Sequence, residues 1–340
     1  MQKKIIALAI AAAFAAPVAM AETANVNVYG SIDGGLRSDT GAGKTMNTFG
    51  SGTYNSNRWG IKGSEDLGDG MKANFGLEGS FLTGTGEVGS TSSTATTNTA
   101  TNSNTDLFAR NATVGVSGSF GSVDLGRQYS VAFKTVGLYD PFGFKFIKIA
   151  GGESAAMVTR YNNDVSYTGK FGDVTVMAEH NVPATGDDSS STTAAGVGFS
   201  SGPITVGGAY SATKAVVGSI ADTKYYTVGA AFNFGDGKVS VGHSNNTVAA
   251  AVSGGNDTVT KQTFIGASYN VTSKVGVTAA VYKKVVTVAA DVTDTKMMLA
   301  ATYALSKRTN FYAEIDKNSN DTAGTTTDTN GYSLGLATTF

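Results

Sequence analysis

Large apolar residues alternate with small or polar residues along most of this chain. In the final segment the parity of Phe340 carries mostly large side chains as far back as Tyr332, and the opposite parity carries Ser, Gly, Ala and Thr. Successive residues of a β-strand point to opposite faces of the sheet. The alternation therefore predicts strands with one apolar and one polar face, which is typical of barrels that cross a membrane.

Sixteen segments fit this template, from 26–37 at the start to 309–316 and 330–340 at the end. Short glycine-containing turns such as Leu67–Gly70 and Phe234–Gly237 alternate with long polar connections. Glycine and aspartate tolerate the backbone angles of tight hairpins. An even strand count with short turns on one rim is the layout of a bacterial outer-membrane barrel. We predict an all-β fold, a 16-stranded antiparallel transmembrane β-barrel over residues 22–340.

Residues 1–21 have the three parts of a cleaved signal peptide. Lys3 and Lys4 precede an apolar run from Ile5 to Ala16, and Ala19-Met20-Ala21 provides the small-x-small pattern of a signal peptidase site. We predict cleavage after Ala21. The alternative is a membrane anchor that stays attached, but the apolar run is shorter than the ~20 residues that span a bilayer.

The composition excludes several classes of protein. Without Lys3 and Lys4 the 25 basic residues fall to 23 against 26 acidic ones, and this formal charge of about −3 excludes a strongly basic nucleic-acid-binding protein. The chain has no cysteine, so metal sites built on thiolates are excluded. After residue 21 no apolar stretch approaches the ~18 residues of a membrane-spanning helix, so a membrane-embedded form must be a barrel.

Two connections differ from the others. The segment from Leu82 to Thr105 ends in a run of Ser, Thr, Asn and Ala that cannot bury a core, so we expect a solvated loop. The alternative, a linker between two domains, is disfavoured because the same alternation continues beyond it. The segment from Tyr129 to Ala156 is long, aromatic and basic, and we predict that it folds into the barrel and narrows the lumen. An exposed lid or an oligomer contact is the alternative.

Several motifs resemble the trimeric general porins of Gram-negative bacteria, closest to the β-proteobacterial type. They are the stretches Val28–Asp33, Arg58–Gly68, Leu125–Gln128 and Arg160–Tyr167, together with the terminal Phe340. The resemblance spans the whole mature chain in the family's order. It implies a sixteen-stranded barrel, a homotrimer and a third long loop that constricts the pore. It also implies that Phe340 is read by the outer-membrane assembly machinery.

In this family, basic residues of the barrel wall face carboxylates of the constricting loop. The resemblance places Arg58, Lys62, Arg127 and Arg160 on the wall and Asp140 on the loop, with Glu153 a looser match. The loop departs from the family because it lacks the acidic residue that usually follows the proline. The full predicted constriction set is Arg58, Lys62, Arg127, Arg160, Asp140, Glu153, Lys134, Lys145, Lys148 and Asp33. For each of them, an ordinary lumen or rim charge without special effect is the alternative.

Strand parity supports part of this set. Arg58 and Lys62 lie on the face opposite Trp59 and Ile61, and Arg160 shares its face with Asn162, Asp164 and Ser166. Arg127 instead falls with Val123 and Leu125 on the apolar parity. Its inward position therefore rests on the resemblance alone, unless a β-bulge intervenes.

Catalytic motifs in the sequence lack their required context. Gly331–Gly335 spells a nucleophile elbow, but only five residues follow it and none is a histidine or an acid. Gly84–Gly89 has dinucleotide-loop spacing, but no helix is predicted after it. His180 and His243 have no metal-ligand spacing. We therefore predict no enzyme activity, no cofactor and no metal site.

These features predict an outer-membrane porin, a passive water-filled channel for small hydrophilic solutes. Basic groups outnumber acidic groups in the predicted constriction, which favours mild anion preference. A substrate-specific channel and a structural or adhesive barrel with a plugged lumen are the alternatives. The expected partners are membrane lipid and lipopolysaccharide, two further copies in a homotrimer, the assembly machinery and small solutes, with no nucleic acid.

Overall fold

A computed structural model describes nearly all of the chain as antiparallel strands. It describes residues 25–41, 43–89, 91–92, 101–102, 106–150, 157–182, 190–214, 221–250 and 255–340. The predicted signal peptide with its cleavage site at Ala21, the loop residue Glu153 and most of the polar run 90–105 lie outside this part. Within it, no helix has the length and apolar character needed to cross a bilayer.

The strands in chain order are β1 (Asn25–Gly41), β2 (Lys44–Ser51), β3 (Arg58–Gly68), β4 (Met71–Ser80), β5 (Thr91–Ser92), β6 (Thr101–Asn102), β7 (Asn111–Gly118), β8 (Gly121–Tyr129), β9 (Arg160–Phe171), β10 (Val174–Asn181), β11 (Ser191–Ser201), β12 (Ile204–Lys214), β13 (Thr223–Phe234), β14 (Gly237–Val248), β15 (Thr258–Asn270), β16 (Val275–Thr287), β17 (Asp291–Ala304), β18 (Thr309–Thr322) and β19 (Thr325–Thr339). Helical segments at Val131–Val136 and Ile147–Ala150 lie between β8 and β9. β5 and β6 form a separate hairpin.

The remaining strands close into a barrel. β1 pairs with β19 from Ser31↔Thr339 to Gly41↔Thr329. On its other edge, β1 pairs with β2 along Gly34–Gly41 and with β3 along Asn25–Ser31. β2 and β3 are therefore two halves of a single strand position, and the closed barrel has 16 strands. The predicted fold class is confirmed.

Inward and outward faces alternate as the pattern predicted. On β11, Thr192 and Ala194 are buried on the lumen side, whereas Val197 and Phe199 are exposed on the outside. On β1, Val28 and Leu36 are 63% and 68% exposed, which for apolar side chains is the expected state of a lipid-facing surface.

Several strands extend farther than the pattern predicted at the rim of the long loops, which we call the loop rim. β18 continues to Thr322 and β19 begins at Thr325, so a two-residue turn replaces the predicted long loop. β2 was not predicted at all. These extensions are rich in Thr, Asn, Asp and Ser. They lie beyond the lipid-facing apolar surface of the barrel, which we call the apolar belt, so both faces of each strand contact water. The backbone hydrogen bonds between the strands form there without apolar side chains on either face. The opposite rim, which we call the turn rim, has the predicted short turns.

The segment between β8 and β9 lies inside the barrel, as predicted, over its described residues 130–150 and 157–159, which we call the lumen loop. Its apolar side chains are buried against lumen-facing residues of the wall. The cluster contains Phe133, Val136, Tyr139, Phe142, Phe146 and Ile149 from the loop and Phe264, Tyr282, Met298 and Tyr312 from the wall. The protein's apolar core is thus this interface, and the outer face of the sheet is left to lipid.

Glycines on the wall allow the lumen loop to lie this close. A Cβ atom at Gly229 of β13 would lie 2.3 Å from the ring of Tyr139, and one at Gly266 of β15 would lie 2.5 Å from Pro141. On β11, a Cβ at Gly196 would lie 2.7 Å from Val131. These three glycines form the seat of the lumen loop, because any other residue would push the loop into the lumen.

Candidate functional site

The lumen loop begins with a helix that is fixed at its first turn. Ser130 caps the helix, and its Oγ accepts the N–H of Phe133 at 3.1 Å. Glu179 of β10 accepts the N–H of Val131 through Oε2 at 2.8 Å. A carboxylate at a helix N-terminus accepts hydrogen bonds from the unpaired N–H groups of the first turn. It is also attracted to the positive end of the helix dipole. The helix packs against β10 to β13.

The middle and tip of the lumen loop are held across the barrel by polar contacts. The hydroxyls of Tyr139 and Thr227 are 2.7 Å apart. Lys238 donates to the backbone carbonyl of Asp140 at 3.0 Å, and Lys296 donates to that of Ile149 at 2.6 Å. The loop therefore follows the wall from β10 to β17.

The gap between β2 and β3 forms a second inward element, residues 52–57. Asp33 is fully buried beneath it and accepts the N–H of Asn55 at 2.6 Å and the hydroxyl of Tyr312 at 2.8 Å. The backbone carbonyl of Tyr54 accepts the N–H of Phe146 from the loop tip at 2.8 Å. Asp33 was predicted as a constriction residue, and the structure places it in this anchoring network.

Four arginines lie near the start of β7. Arg127 of β8 donates to the carbonyl of Ala109 at 2.5 Å, and Arg160 of β9 donates to that of Arg110 at 2.7 Å. Arg110 itself binds Glu78 at 2.6 Å, and Arg58 lies 3.9 Å from the same carboxylate. The structure therefore brings Arg58, Arg127 and Arg160 to one part of the wall, where the buried Glu78 pairs with Arg110 and lies near Arg58.

Arg110 was missed in the sequence. The predicted strand 108–118 gave it the parity of Val114 and Val116, but β7 begins only at Asn111, so parity does not apply to Arg110. Arg37 was also not selected. It binds Asp39, Glu314 and Asp316 at 2.6, 3.2 and 2.9 Å on β1 and β18. The crowding of acids from β1 and β18 is visible only once β1 is known to pair with β19 and β19 with β18.

The pairing of β8 with β9 is irregular beside Arg127. The register of β8 and β9 shifts between Gly126 and Gln128, where Gly126 has a φ of +124°. The matching residue of β9, Asn163, has a φ of +50°. The shift also limits the parity argument for β9: Asp164 and Ser166 are buried, whereas Asn162 is exposed and accepts a hydrogen bond from Arg127 at 2.5 Å.

A column of stacked rings lies beside the arginines. The guanidinium carbon of Arg160 is 4.1 Å from the ring centre of Tyr129. Tyr129 stacks on Phe133 at 4.5 Å, and Phe133 stacks on Phe144 at 4.1 Å. The column ties the root of the lumen loop to the wall, so Arg160 has a structural role in addition to its charge.

The remaining predicted groups are spread along the loop and the wall. Lys145 lies 5.1 Å from the ring centre of Tyr54, and Lys148 donates to the carbonyl of Ser51 at 2.7 Å. Lys134, near the start of the lumen loop, donates to Ser166 at 3.2 Å. It is far along the loop from Lys145 and Lys148. Lys62 of β3 is exposed, with its ammonium 5.1 Å from the ring centre of Tyr29.

Burial changes the titration of the loop groups. It lowers the pKa of Lys134, and the carboxylates of Glu179 and Asp164 oppose this change. It also lowers the pKa of Lys145, and the positive charge of Arg58 lowers that pKa further. Burial likewise lowers the pKa of Lys148.

Asp140 lies under its own turn, where Oδ2 accepts the N–H of Phe144 at 2.8 Å. Burial raises the pKa of Asp140 to about 6. Its carboxylate is thus enclosed by the loop that carries it.

Comparisons with known proteins agree with this architecture. Residues 7–339 match the sequence model of a family described as Gram-negative porin. The chain is 31% identical to outer membrane porin protein 32 of Delftia acidovorans over 332 residues, which cover 93% of this chain and 89% of that protein. It is 38% identical to an outer membrane porin protein of Bordetella pertussis over 185 residues, which cover 49% of this chain and less than half, 44%, of that protein.

Solved structures share the fold. An anion-selective porin from Comamonas acidovorans superposes with a TM-score of 0.79 at 24% identity, covering 94% of this chain and all of that one. OmpT of Vibrio cholerae in its trimer form gives a TM-score of 0.71 at 16% identity, with 94% and 100% covered. The closed barrel with its inward loop and the family match over nearly the whole chain identify the same protein family. The chain belongs to the family of Gram-negative porins, which are channels of the outer membrane and not enzymes.

Proposed function

We propose that this porin is a passive diffusion channel with a preference for small anions, and that Arg58, Lys62, Arg127, Lys145 and Lys148 set that preference. The main observation is that acidic side chains beside the lumen loop are buried, whereas basic side chains there are more exposed. The acids Asp33, Glu78 and Asp140 expose only 0, 8 and 7% of their surface. By contrast, Lys62 is exposed and the side chain of Arg58 is 30% exposed.

The contacts of the acids support the same conclusion. Glu78 is neutralised by Arg110 at 2.6 Å, and Asp33 is enclosed by hydrogen bonds from Asn55 and Tyr312. A solute in the lumen therefore meets basic groups first. In a narrow aqueous passage with low-dielectric walls, such groups raise the local concentration of anions. The relative from Comamonas acidovorans is described as anion-selective, which agrees with this proposal.

The test is a double variant, Arg58→Gln with Arg127→Gln, measured as a reversal potential across a planar bilayer under a salt gradient. A unit charge about 4 Å from an ion contributes about 1 kcal/mol in water, so each arginine should change the anion-to-cation permeability ratio about fivefold at low salt. The change should shrink near 1 M salt, where the screening length is about 3 Å.

Arg308→Gln is the matched control, because Arg308 lies in the turn-rim connection between β17 and β18. It removes the same charge far from the lumen loop and should leave the reversal potential unchanged. If the double variant kept the wild-type reversal potential, the proposed role of these arginines would be wrong.

Assembly is part of the same proposal. The chain works as a homotrimer, is secreted with residues 1–21 as a signal peptide cleaved after Ala21, and is inserted by the outer-membrane assembly machinery. The relatives support the trimer, since a solved neighbour of the same fold is described in a trimer form. Conductance steps that occur in groups of three would test it, and a mature N-terminus at Glu22 would test the cleavage.

A further inference from the structure

Two aromatic residues at the tip of the lumen loop have a backbone conformation that bulky side chains rarely adopt. The φ angle is +60° at Phe144 and +53° at Phe146, and Gly143 before them has a φ of +57°. A positive φ is costly for a bulky residue, so it persists only where the surrounding structure fixes that residue. We call residues 140–146 the tip turn. Its conformation therefore depends on the contacts that stabilise it.

The rings of these two residues pack in different places, with Lys145 between them in the chain. Phe144 stacks on Phe133 of the loop's first helix at 4.1 Å. The ring of Phe146 contacts Tyr54 of the inward element 52–57, with ring centres 5.2 Å apart. The ammonium of Lys145 lies 5.1 Å from the centre of the Tyr54 ring. The left-handed residues on both sides of Lys145 thus determine where its charge lies in the lumen.

Asp140 stabilises the tip turn from within. Its Oδ2 accepts the N–H of Phe144 at 2.8 Å, and its backbone carbonyl accepts the N–H of Gly143 at 3.2 Å. Its own N–H donates to the carbonyl of Val136 at 2.9 Å, which joins the turn to the end of the helix. Only 7% of Asp140 is exposed. Its carboxylate therefore contacts the turn and is shielded from ions in the lumen.

Lys238 connects the same turn to the barrel wall. It is the second residue of β14, and its ammonium donates to the backbone carbonyl of Asp140 at 3.0 Å. The next residue of the turn, Pro141, packs against Gly266 of β15, where a Cβ atom would lie 2.5 Å from it. The tip turn is thus fixed to the wall by a hydrogen bond from a lysine and by a close contact with a glycine.

We propose that Asp140 and Lys238 are positioning residues of the channel, which fix the tip turn so that Lys145 presents its charge to permeating anions. Asp140 acts as the acceptor that stabilises a strained turn, and Lys238 acts as the donor that attaches this turn to the wall. Neither acts as a charge on the permeation path. This inference depends on the proposed function, because it explains the position of one residue that sets the anion preference.

The variants Asp140→Asn and Asp140→Leu separate a positioning role from a charge role. Both remove the same charge, but only asparagine keeps an acceptor for the N–H of Phe144. The measurement is the change that Lys145→Gln causes in the anion-to-cation permeability ratio in each background, by reversal potential across a planar bilayer. We expect a loss of about fivefold in the Asn background, as for one charge near the path. In the Leu background the loss should be less than about twofold, since Lys145 is no longer fixed in place.

Permeation of neutral sugars reports the position of the tip turn without any contribution from charge. In a liposome-swelling assay, Asp140→Leu and Lys238→Met should slow a trisaccharide relative to a monosaccharide, because the released turn moves from the wall into the lumen. Lys238→Arg keeps a donor and should restore the wild-type ratio of the two rates.

Asp236→Asn and Asp236→Leu are the matched controls. Asp236 is an exposed acid in the turn between β13 and β14, two residues before Lys238. The two controls remove the same charge close to the tip turn. Neither should change the sugar rates or the effect of Lys145→Gln.

Two results would overturn the proposal. One is a Leu background with wild-type sugar rates and the full effect of Lys145→Gln. The other is an Asn background that matches the Leu background in both measurements, because the charge of Asp140 would then be the property that matters. If Asp140→Leu does not fold, the sugar rates of Lys238→Met and Lys238→Arg decide, and equal rates in these two variants would also contradict the proposal.

Failure of the proposed function would be distinguishable from failure of this inference. If Lys145→Gln left the reversal potential of the wild type unchanged, the role of Lys145 in the anion preference would be wrong. The sugar rates would still decide whether Asp140 and Lys238 fix the tip turn.

Discussion

At the scale of single residues, the lysines of the lumen loop differ from ordinary surface lysines. Burial lowers the pKa of Lys145 and Lys148, so they lose their charge at a lower pH than an exposed lysine, which titrates near 10.4. As the pH rises from 7 toward that value, the loop should lose positive charge first. The anion preference should therefore decline within this window, as measured by reversal potential at pH 7 to 10.

The double variant Lys145→Arg, Lys148→Arg tests this explanation. Arginine stays protonated throughout the window, so the variant should keep its anion preference up to pH 10. A decline of the same size in the variant would mean that other groups are titrating. Lys274→Arg, on the turn rim, is the matched control and should follow the wild-type curve.

Single residues also show where sequence reasoning reaches its limit. Motif resemblance selected Arg58, Arg127 and Arg160, and the structure brings all three to one part of the wall. Parity alone would have rejected Arg127, because it does not take account of the unusual backbone at Gly126 or of the extra β9 residue opposite Arg127. Parity also failed to identify Arg110, because this residue precedes β7 and so is not part of the alternating pattern. Asp140 was identified by its motif, but no pattern revealed that its own turn would enclose it.

At the scale of elements, the glycine seat determines where the lumen loop lies. We predict that Gly229→Ala displaces the loop, because the new Cβ would be 2.3 Å from the buried ring of Tyr139. Overpacking of this kind costs about 1–3 kcal/mol. Because the displaced loop narrows the lumen, the expected results are smaller and noisier single-channel conductance and faster tryptic cleavage at Lys145 and Lys148.

Gly208→Ala is the control for that prediction. Gly208 lies on neighbouring β12 and faces outward, and its new Cβ would have only an ordinary contact of 3.4 Å with the carbonyl of Thr227. Its conductance and cleavage should match wild type. If Gly229→Ala behaved in the same way, the close approach of loop and wall would not determine the position of the loop.

Elements were predictable where one face meets lipid and the other meets water. Within the apolar belt, alternation located the strands and the aromatic content located the inward loop. Above the belt it failed, since β2 and the ends of β18 and β19 have polar residues on both faces. There the ladder of backbone hydrogen bonds continues without any signal in side-chain polarity.

At the scale of the whole molecule, the barrel is closed by its two terminal strands. The backbone of Phe340 exchanges two hydrogen bonds with Gly30, at 3.1 and 3.2 Å, and its ring lies over that glycine, where a Cβ would be 2.4 Å from Cζ. A closed barrel has no free strand edge. Closure is made by backbone pairing of β1 with β19, which Phe340 extends by one further pair, while 51% of the residue remains exposed.

This separation predicts that Phe340→Ala impairs assembly in cells more than folding in the test tube. The variant keeps both backbone bonds to Gly30, so refolding in detergent should stay near wild type on a heat-modifiability gel. In cells the folded fraction should fall, because the terminal ring is the proposed signal to the assembly machinery. Phe311→Ala is the matched control, since Phe311 is an outward ring that is 48% exposed on neighbouring β18. An equal loss for both variants in cells would show that lipid-facing aromatic surface, and not the terminal position, is what assembly requires.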